Sequence, residues 1–320
     1  MIPILSIRKL KVSFHTDGGI ASVLDDITLT LEHGQILGVV GESGCGKSTL
    51  IRTIMGILPD AAQIDAGEVV FEGENLLVFT ERELNQRIRG SRIGYIPQDP
   101  LLSLNPVFKV GTQLLEIMRD HAPESGSRRT HVKRLVSLMR RLHVPDPDNA
   151  LERYPHQFSG GQRQRLLIAA ALACEPRLVI ADEPTTALDV TTQHEILILL
   201  RELVDEFNIS LLFVTHDLGV VAELCDAVCV IYAGQTVEAG SVKAVLNAPS
   251  HPYTQALLAC HPEKAATFVG IPGTVPSALR MPAGCRFAPR CTYAEPACTA
   301  SLPPASYGHS GAIIRCIHSA

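Results

Sequence analysis

Gly41-Glu42-Ser43-Gly44-Cys45-Gly46-Lys47-Ser48, followed by Thr49, fits the pattern G-x-x-x-x-G-K-[ST] without a gap. The apolar run Ile36-Leu37-Gly38-Val39-Val40 stands directly before it and reads as a buried strand. Lys47–Leu58 follows, with helical apolar spacing at Leu50, Ile51, Ile54 and Ile57. Strand, glycine turn and helix are the context in which this pattern marks a phosphate site. The glycines let the backbone wrap so that successive N–H groups point inward at phosphate oxygens. The new helix adds its positive N-terminal end. In such a loop the lysine, Lys47, reaches the β- and γ-phosphates, and the hydroxyl of Ser48 ligates Mg²⁺. The stretch is expected to bind a nucleoside triphosphate.

Upstream, residues 4–33 alternate as antiparallel strands do, with Leu5, Ile7, Leu10, Val12 and Phe14, then Val23, Leu24, Ile27, Leu29 and Leu31. His15–Ser22 between them is polar and glycine-bearing, a hairpin or loop. Phe14 precedes the phosphate loop at a distance that suits stacking on an adenine, and it equally suits a strand aromatic packed in the core.

Downstream, Gly67–Phe71 returns as a short strand and Thr80–Arg89 reads as a polar helix. Ile93-Gly94-Tyr95-Ile96-Pro97-Gln98-Asp99-Pro100 carries an apolar strand that ends in Gln98, whose amide oxygen is suited to Mg²⁺ or to the attacking water. Residues 101–158 change character. They are rich in arginine and histidine, helical over Val110–Arg119 and Arg129–Leu142, and broken by Pro145 and Pro147. This is a helical insert in an α/β core. It closes on Phe158-Ser159-Gly160-Gly161-Gln162, followed by Leu166–Cys174, a helix apolar almost all round and therefore buried. Ser159 suits the N-cap, and Gly160 and Gly161 expose the first N–H groups. That gives a second anion-seeking helix start, this one without a lysine of its own.

Leu178-Val179-Ile180-Ala181-Asp182-Glu183 is an apolar strand that ends in two carboxylates. Delivering acids at the end of a buried strand is costly unless a cation or a proton transfer uses them. Asp182 suits the shell of Mg²⁺, and Glu183 suits polarisation of a water aimed at the γ-phosphate. A helix is expected over Thr191–Asn208. Ser210–Thr215 is a third buried strand, with His216 at its exit, placed either to hydrogen-bond the γ-phosphate or to serve the structure. Val228–Tyr232 and Gln235–Ala239 form a last hairpin around Ala233-Gly234.

Composition narrows the classes. The 320 residues allow one large domain and a smaller one. A net charge of -5 and a pI near 6.2 exclude a chain that grips nucleic acid through bulk positive charge. No apolar run is long enough to span a bilayer, and the opening residues lack the charged region of a signal peptide. With no export signal, the nine cysteines are expected as free thiols or metal ligands.

Six ordered motifs now stand together: the Gly41–Ser48 loop, Gln98, Ser159–Gln162, the Leu178–Glu183 strand, Ala187-Leu188-Asp189, and His216. In order and spacing the chain resembles an ABC transporter ATPase subunit over residues 5–245. Gln98-Asp99-Pro100, Ser103-Leu104-Asn105-Pro106, His251-Pro252-Tyr253-Thr254 and the cysteine-rich tail are similar to the peptide/nickel import branch. Departures are mild, with Phe158 where leucine is commonest and Phe14 where tyrosine is.

The resemblance implies an α/β fold. Its parts would be a P-loop NTPase (RecA-like) core, an N-terminal antiparallel β subdomain, a helical insert carrying the signature, and a small irregular cysteine-rich C-terminal domain. Residues 1–250 would be the ATPase domain, with the helical subdomain at about 101–164, and 251–320 the C-terminal domain. ATP and Mg²⁺ are the implied cofactors. Gly41, Glu42, Ser43, Gly44, Cys45, Gly46, Lys47, Ser48 and Thr49 would hold the nucleotide, with Phe14 on the adenine. Ser48, Gln98 and Asp182 would hold Mg²⁺. Glu183 would be the general base, His216 the γ-phosphate sensor, and Gln98 the link that carries closure to a permease. Such subunits dimerise head to tail, so Ser159, Gly160, Gly161 and Gln162 would complete the partner's site. The implied partners are a second ATPase subunit, two transmembrane permease subunits and, indirectly, an extracytoplasmic solute-binding protein, at the cytoplasmic face of the membrane. The two-subunit arrangement of that branch favours a heterodimer. The cargo is expected to be di- or oligopeptides, with nickel or another small solute as the alternative. A DNA-associated ABC ATPase would need a long coiled-coil insertion or paired C-x-x-C motifs with a basic face, and the sequence has neither.

In the tail, Cys285, Cys291, Cys298 and Cys316 are separated by five, six and seventeen residues. The spacing lacks the close pairs of a zinc site, whereas a four-thiolate iron–sulfur cluster tolerates it. The same tail occurs in dipeptide importer ATPases that resemble cluster binders. A [4Fe–4S] cluster is therefore expected, with zinc or no metal as the alternatives.

Overall fold

The computed structural model describes residues 2–122, 126–260, 270–307 and 312–318. Met1 and the tail positions 261–269, 308–311, 319 and 320, all within the segments read above, lie outside the described residues. The chain forms two compact units, one made of residues 1–78 and 214–320 and the other of 79–213.

The first unit begins with β1 (Leu5–Thr16) and β2 (Gly19–Leu31), antiparallel and joined by a tight turn at Asp17-Gly18. The expected eight-residue link from His15 to Ser22 is thus mostly strand. The buried apolar residues of β1 run Leu5, Ile7, then Leu10, Val12, so their alternation skips one position. The cause is a bulge at which Lys9 takes a left-handed φ of 47° and the register shifts against both neighbouring strands. β2 skips likewise between Leu24 and Ile27, where Asp26 has φ 74°. This skip turns the consecutive acids Asp25 and Asp26 off the regular pleat. β3 (Ile36–Val40) is wholly buried and runs into the glycine loop and the helix Lys47–Met55. β4 (Ala62–Phe71) and β5 (Glu74–Asn75) complete an antiparallel sheet in the order β2-β1-β4-β5. Gly67 is required there, because at φ 96° a Cβ would lie 2.5 Å from Leu10 Cα.

The second unit carries β6 (Ile93–Ile96) parallel to β7 (Leu178–Asp182), with β8 (Ser210–Thr215) on the far side of β7. Between β6 and β7 lie the helices Val110–His121, Arg128–Arg141 and Gly160–Leu172. The last of these buries Leu166, Leu167, Ile168, Ala169, Ala171 and Leu172, as its apolar sequence requires. The helix Val190–Phe207 follows β7. Strands buried on both faces need continuous apolar runs, and β7 and β8 have them.

The chain re-enters the first unit through the helix Leu218–Leu224 and the hairpin β9 (Ala227–Tyr232) and β10 (Gln235–Ser241). Its turn puts Ala233 at φ 45° and Gly234 at φ 81°. β9 lies parallel to β3. The tail adds β11 (Ser306–Tyr307) and β12 (Ile313–Ile314) to the edge of β10, for an order of β11-β12-β10-β9-β3 in this unit. Tyr232, Tyr253 and Phe287 pack edge to face and tilted, with ring centroids 4.5–5.4 Å apart, and join the tail to the hairpin.

Candidate nucleotide site

In the first unit, the phosphate loop is shaped by what surrounds its glycines. A Cβ on Gly41 would stand 2.1 Å from the carbonyl oxygen of Ile231, so only glycine fits. Gly46 has φ 108° and forms the left-handed entry to the helix Lys47–Met55. That helix start has no side-chain cap, and Leu50 N–H donates to Gly46 O at 2.9 Å. Its uncapped first amides and its dipole make an anion-seeking end. Lys47 is 7% exposed and arches back over the loop, its Nζ donating to Gly41 O at 2.7 Å and Glu42 O at 3.3 Å. Ser43, Gly44 and Ser48 are exposed, and Thr49 is half-buried. Cys45 is buried against the hairpin, where Gly234 N–H donates to its carbonyl at 3.0 Å, and burial pushes its thiol up. Phe14 is half-buried near the end of β1, opposite Ala21 and Ala62.

Glu42 is held by the tail. Its carboxylate receives both terminal nitrogens of Arg290, at 2.7 and 3.1 Å, and its N–H donates to the Tyr253 hydroxyl at 3.0 Å. His216 is exposed just beyond β8. The turn that presents it is fixed by Asp217, whose N–H donates to Thr215 Oγ1 at 3.0 Å and whose carboxylate accepts from Gly219 N–H at 2.7 Å.

In the second unit, the buried strand β7 delivers Asp182, itself buried, with the Tyr95 hydroxyl at 3.4 Å. Glu183 follows in a left-handed conformation, φ 45°. A non-glycine residue held there is strained, as is common where geometry serves chemistry. Its carboxylate accepts from Thr186 Oγ1 at 3.1 Å and from Gln98 Nε2 at 3.4 Å. Two of the residues singled out in the sequence, Gln98 and Glu183, are thus brought together. Oxygen donors such as the Ser48 hydroxyl, the Asp182 carboxylate and the Gln98 amide are the hard ligands that Mg²⁺ takes.

The signature closes on itself by a reciprocal cap. Ser159 Oγ accepts from Gln162 N–H at 3.3 Å, and Gln162 Oε1 accepts from Ser159 N–H at 3.0 Å. Gly161 lies so close to Thr192 that a Cβ would meet its Cγ2 at 2.6 Å. A cavity of about 790 Å³ opens on Ser159, Gly160, Gly161, Gln162, Leu188 and Asp189. That volume lies within the range of nucleotide-sized ligand sites.

In the tail, Cys285 N–H donates to Cys298 O at 2.7 Å. Among the described residues, however, no three histidine, cysteine or acidic side chains are arranged to hold a metal ion. Burial raises the thiols of Cys285 and Cys291, which favours the protonated form. The expectation of a [4Fe–4S] quartet is without support here. Cys225 and Cys229, outside this set, are buried.

Sequence reasoning missed Arg286, Arg290 and Arg315. Each is buried, with side chains 5%, 3% and 5% exposed, and each meets an acid of the N-terminal segment: Asp25, Glu42 and Asp26 respectively. Such partners, 248 to 289 positions apart, leave no local signal in one sequence.

The sequence model described as ABC transporter matches residues 24–186, and the one described as the C-terminal region of oligopeptide/dipeptide transporters matches 237–298. The oligopeptide transport ATP-binding protein OppD of Haemophilus influenzae is 42% identical over 312 residues, 97% of this chain and 95% of that protein. OppD of Salmonella typhimurium is 43% identical over 98% of this chain and 93% of its own length. A putative peptide import ATP-binding protein of Brucella melitensis is 43% identical over 94% and 91%. Among solved structures, a dimeric ATP-binding cassette in a post-hydrolysis state with ADP and Pi superposes with a TM-score of 0.66 at 25% identity, covering 74% of this chain and 98% of that one. A subunit of the cbiONQ ABC transporter complex of Clostridium perfringens gives 0.64 at 27% identity, covering 78% and 92%.

Proposed function

The chain belongs to the ABC transporter family and is a transport ATPase of it, and from that premise we propose that it energises import of di- and oligopeptides through a membrane permease. The observation that carries the cargo class is the match of residues 237–298 to the oligopeptide/dipeptide transporter C-terminal region, in a chain whose relatives are named for oligopeptide and peptide import.

The residue roles follow from chemistry. Lys47 and the N-terminal amides of the helix it opens hold the triphosphate, within the loop from Gly41 to Thr49, while Phe14 offers its ring to the base. Ser48, Asp182 and Gln98 would hold Mg²⁺, which would supply positive charge to neutralise the triphosphate. Glu183 takes the proton of the attacking water, Thr186 and Gln98 orient its carboxylate, and His216 donates to the γ-phosphate. Ser159 to Gln162 act on the nucleotide of a second ATPase subunit, and a partner of different sequence is favoured. Two permease subunits complete the transporter, with a solute-binding protein acting through them, at the cytoplasmic face of the membrane. Two features support a peripheral place. No helix among the described residues is long and apolar enough to cross a membrane, and Leu101, Leu102, Val107 and Phe108, just past Gln98, are exposed apolar side chains.

The test is reconstitution with permease and binding protein in vesicles. Peptide is expected to stimulate ATP hydrolysis and to accumulate inside, with both lost in Lys47→Ala. Stimulation by nickel and not by peptide would move the cargo to the alternative, and retained nucleotide affinity in Lys47→Ala would refute the phosphate-loop reading. The finer reading of the tail, a cluster or zinc on its four thiols, rests on their spacing in the sequence. Iron, sulfide and zinc analysis of anaerobically purified protein decides it, and absence of all three leaves the cysteines a packing role.

A further inference from the structure

The tail does more than dock beside the phosphate loop, because it holds one residue of that loop by both backbone and side chain. Arg290 places both terminal nitrogens on the Glu42 carboxylate, at 2.7 and 3.1 Å. Its remaining donors are taken by Pro272 O at 2.9 Å, Ile271 O at 3.1 Å and the Tyr232 hydroxyl at 3.3 Å, so the guanidinium plane is fixed by the tail itself. Tyr253, fully buried, accepts the Glu42 N–H and so turns that amide away from any phosphate. Its own position is set by the helix Pro252–Ala259 and by packing on Tyr232 and Phe287.

Glu42 needs such a partner. It puts a carboxylate at the entrance of a loop built for a polyanion, and like charges in a partly desolvated site repel strongly. Its side chain is 27% exposed, so water screens it only in part. A bidentate guanidinium neutralises that acid and also pins its direction, which a lone lysine ammonium cannot do.

We infer that Arg290 and Tyr253 are positioning residues for ATP binding. Arg290 neutralises and orients Glu42, and Tyr253 fixes the Glu42 amide, so that the loop presents its other N–H groups and Lys47 to the triphosphate. The inference rests on the phosphate-loop reading of Gly41–Ser48 given above. It ties nucleotide affinity to the state of the C-terminal region, because that region supplies the bidentate guanidinium on the Glu42 carboxylate.

The experiment is titration of the full chain with a fluorescent ATP analogue and Mg²⁺, alongside thermal melts. Arg290→Ala is expected to weaken binding about tenfold, within the range of coupled sites. Glu42→Gln removes the charge and keeps the shape. In its background Arg290→Ala should cost less than threefold. Arg315→Ala removes an equally buried tail arginine that touches Asp26, Thr236 O and Pro303 O and not the loop. It is expected to lower the melting temperature and leave affinity within twofold. If Arg290→Ala does not fold, Arg290→Lys, which keeps charge and loses the fork, takes its place in both backgrounds with the same order of effects. Unchanged affinity in the Arg290 variant, no relief by Glu42→Gln, or an equal loss in Arg315→Ala would each overturn the inference. Lys47→Ala serves as the separate control. If it binds like wild type, the phosphate-loop reading fails instead.

Discussion

Glu183→Gln tests the catalytic assignment most directly, because the structure allows the exchange with little disturbance. The carboxylate accepts from Thr186 Oγ1 at 3.1 Å, and an amide oxygen turned to that side accepts the same bond. The contact with Gln98 Nε2, at 3.4 Å, is long and contributes little. The backbone at φ 45° is the same for either residue. At these two contacts the cost is about that of one weak hydrogen bond, about 0.5 kcal/mol, or a melting shift of about 2 °C or less. Turnover is a different matter. A positioned general base contributes roughly 10²- to 10⁴-fold, about 3–5 kcal/mol of barrier, and an amide supplies none of it. The assay is phosphate release in Mg²⁺ with saturating ATP, read beside analogue affinity and thermal melting. Expected are a fall in kcat of at least about a hundredfold, unchanged affinity and an unchanged melt. A kcat within threefold of wild type, with affinity intact, would place the base elsewhere. Loss of binding would mean that Glu183 holds the nucleotide and does not act on water.

Three further outcomes follow from local geometry. Gly41→Ala drives a Cβ to 2.1 Å from Ile231 O, whereas Gly44→Ala meets open space and only the strain of φ 79°. Urea unfolding should show a loss of about 3 kcal/mol or more for the first and about 1–2 kcal/mol for the second, and only the first should abolish analogue binding. His251 is buried with its Nδ1 accepting Tyr253 N–H at 3.0 Å, and burial, with the nearby Arg315 charge, pulls it down to about 4. The unfolded chain therefore takes up that proton first. The contribution of neutral His251 is complete above pH 6.5 and declines by about 3 kcal/mol as pH falls to 4. Urea midpoints at pH 7 and pH 5 should reveal it, and His251→Asn, which keeps an acceptor at the helix start, should flatten the slope. An equal slope in both proteins would refute the assignment. Leu102→Ser with Val107→Ser alters side chains 85% and 70% exposed, so stability should move by less than about 0.5 kcal/mol while co-purification with the permease is reduced. Full recovery of the permease would move the docking surface elsewhere.

What the sequence made legible is local, and what it hid is long-range. The strand, loop and helix from Ile36 to Met55 were readable because period, glycines and lysine lie in one contiguous stretch. The cap at Ser159 was readable because its partner Gln162 is three residues away. The skipped alternation at Leu10 and Ile27 was visible as a spacing, but its cause, left-handed residues at Lys9 and Asp26, belongs to backbone geometry that no residue type there announces. The Arg290–Glu42 clamp joins residues 248 positions apart and needed coordinates. The four cysteines mark the limit of residue-type reasoning, since their spacing admits a cluster while no three metal-ligating side chains are arranged for one among the described residues.

The bulge in β2 and the tail arginines are two halves of one device. A regular strand would send Asp25 and Asp26 to opposite faces. The left-handed φ of Asp26 breaks that alternation, and the pair then meets Arg286 and Arg315, whose other donors go to the carbonyls of Ala233, Thr236 and Pro303. Burial alone would raise the Asp25 carboxyl, but the Lys11 hydrogen bond and the Arg286 charge hold it below its ordinary value, so it stays ionised and paired. Removing one member of such a buried pair costs about 3–5 kcal/mol, whereas an apolar pair of the same size is often as stable. The pairs therefore matter less for net stability than for where the tail sits. In an irregular segment with little apolar periodicity, these pairs add directional contacts to the β10–β12 pairing and the Tyr232–Tyr253–Phe287 packing that hold it on the hairpin β9–β10. A tail fixed at that register is what brings Arg290 to Glu42, so the charges at Asp25 and Asp26 act on the phosphate loop through the placement they impose.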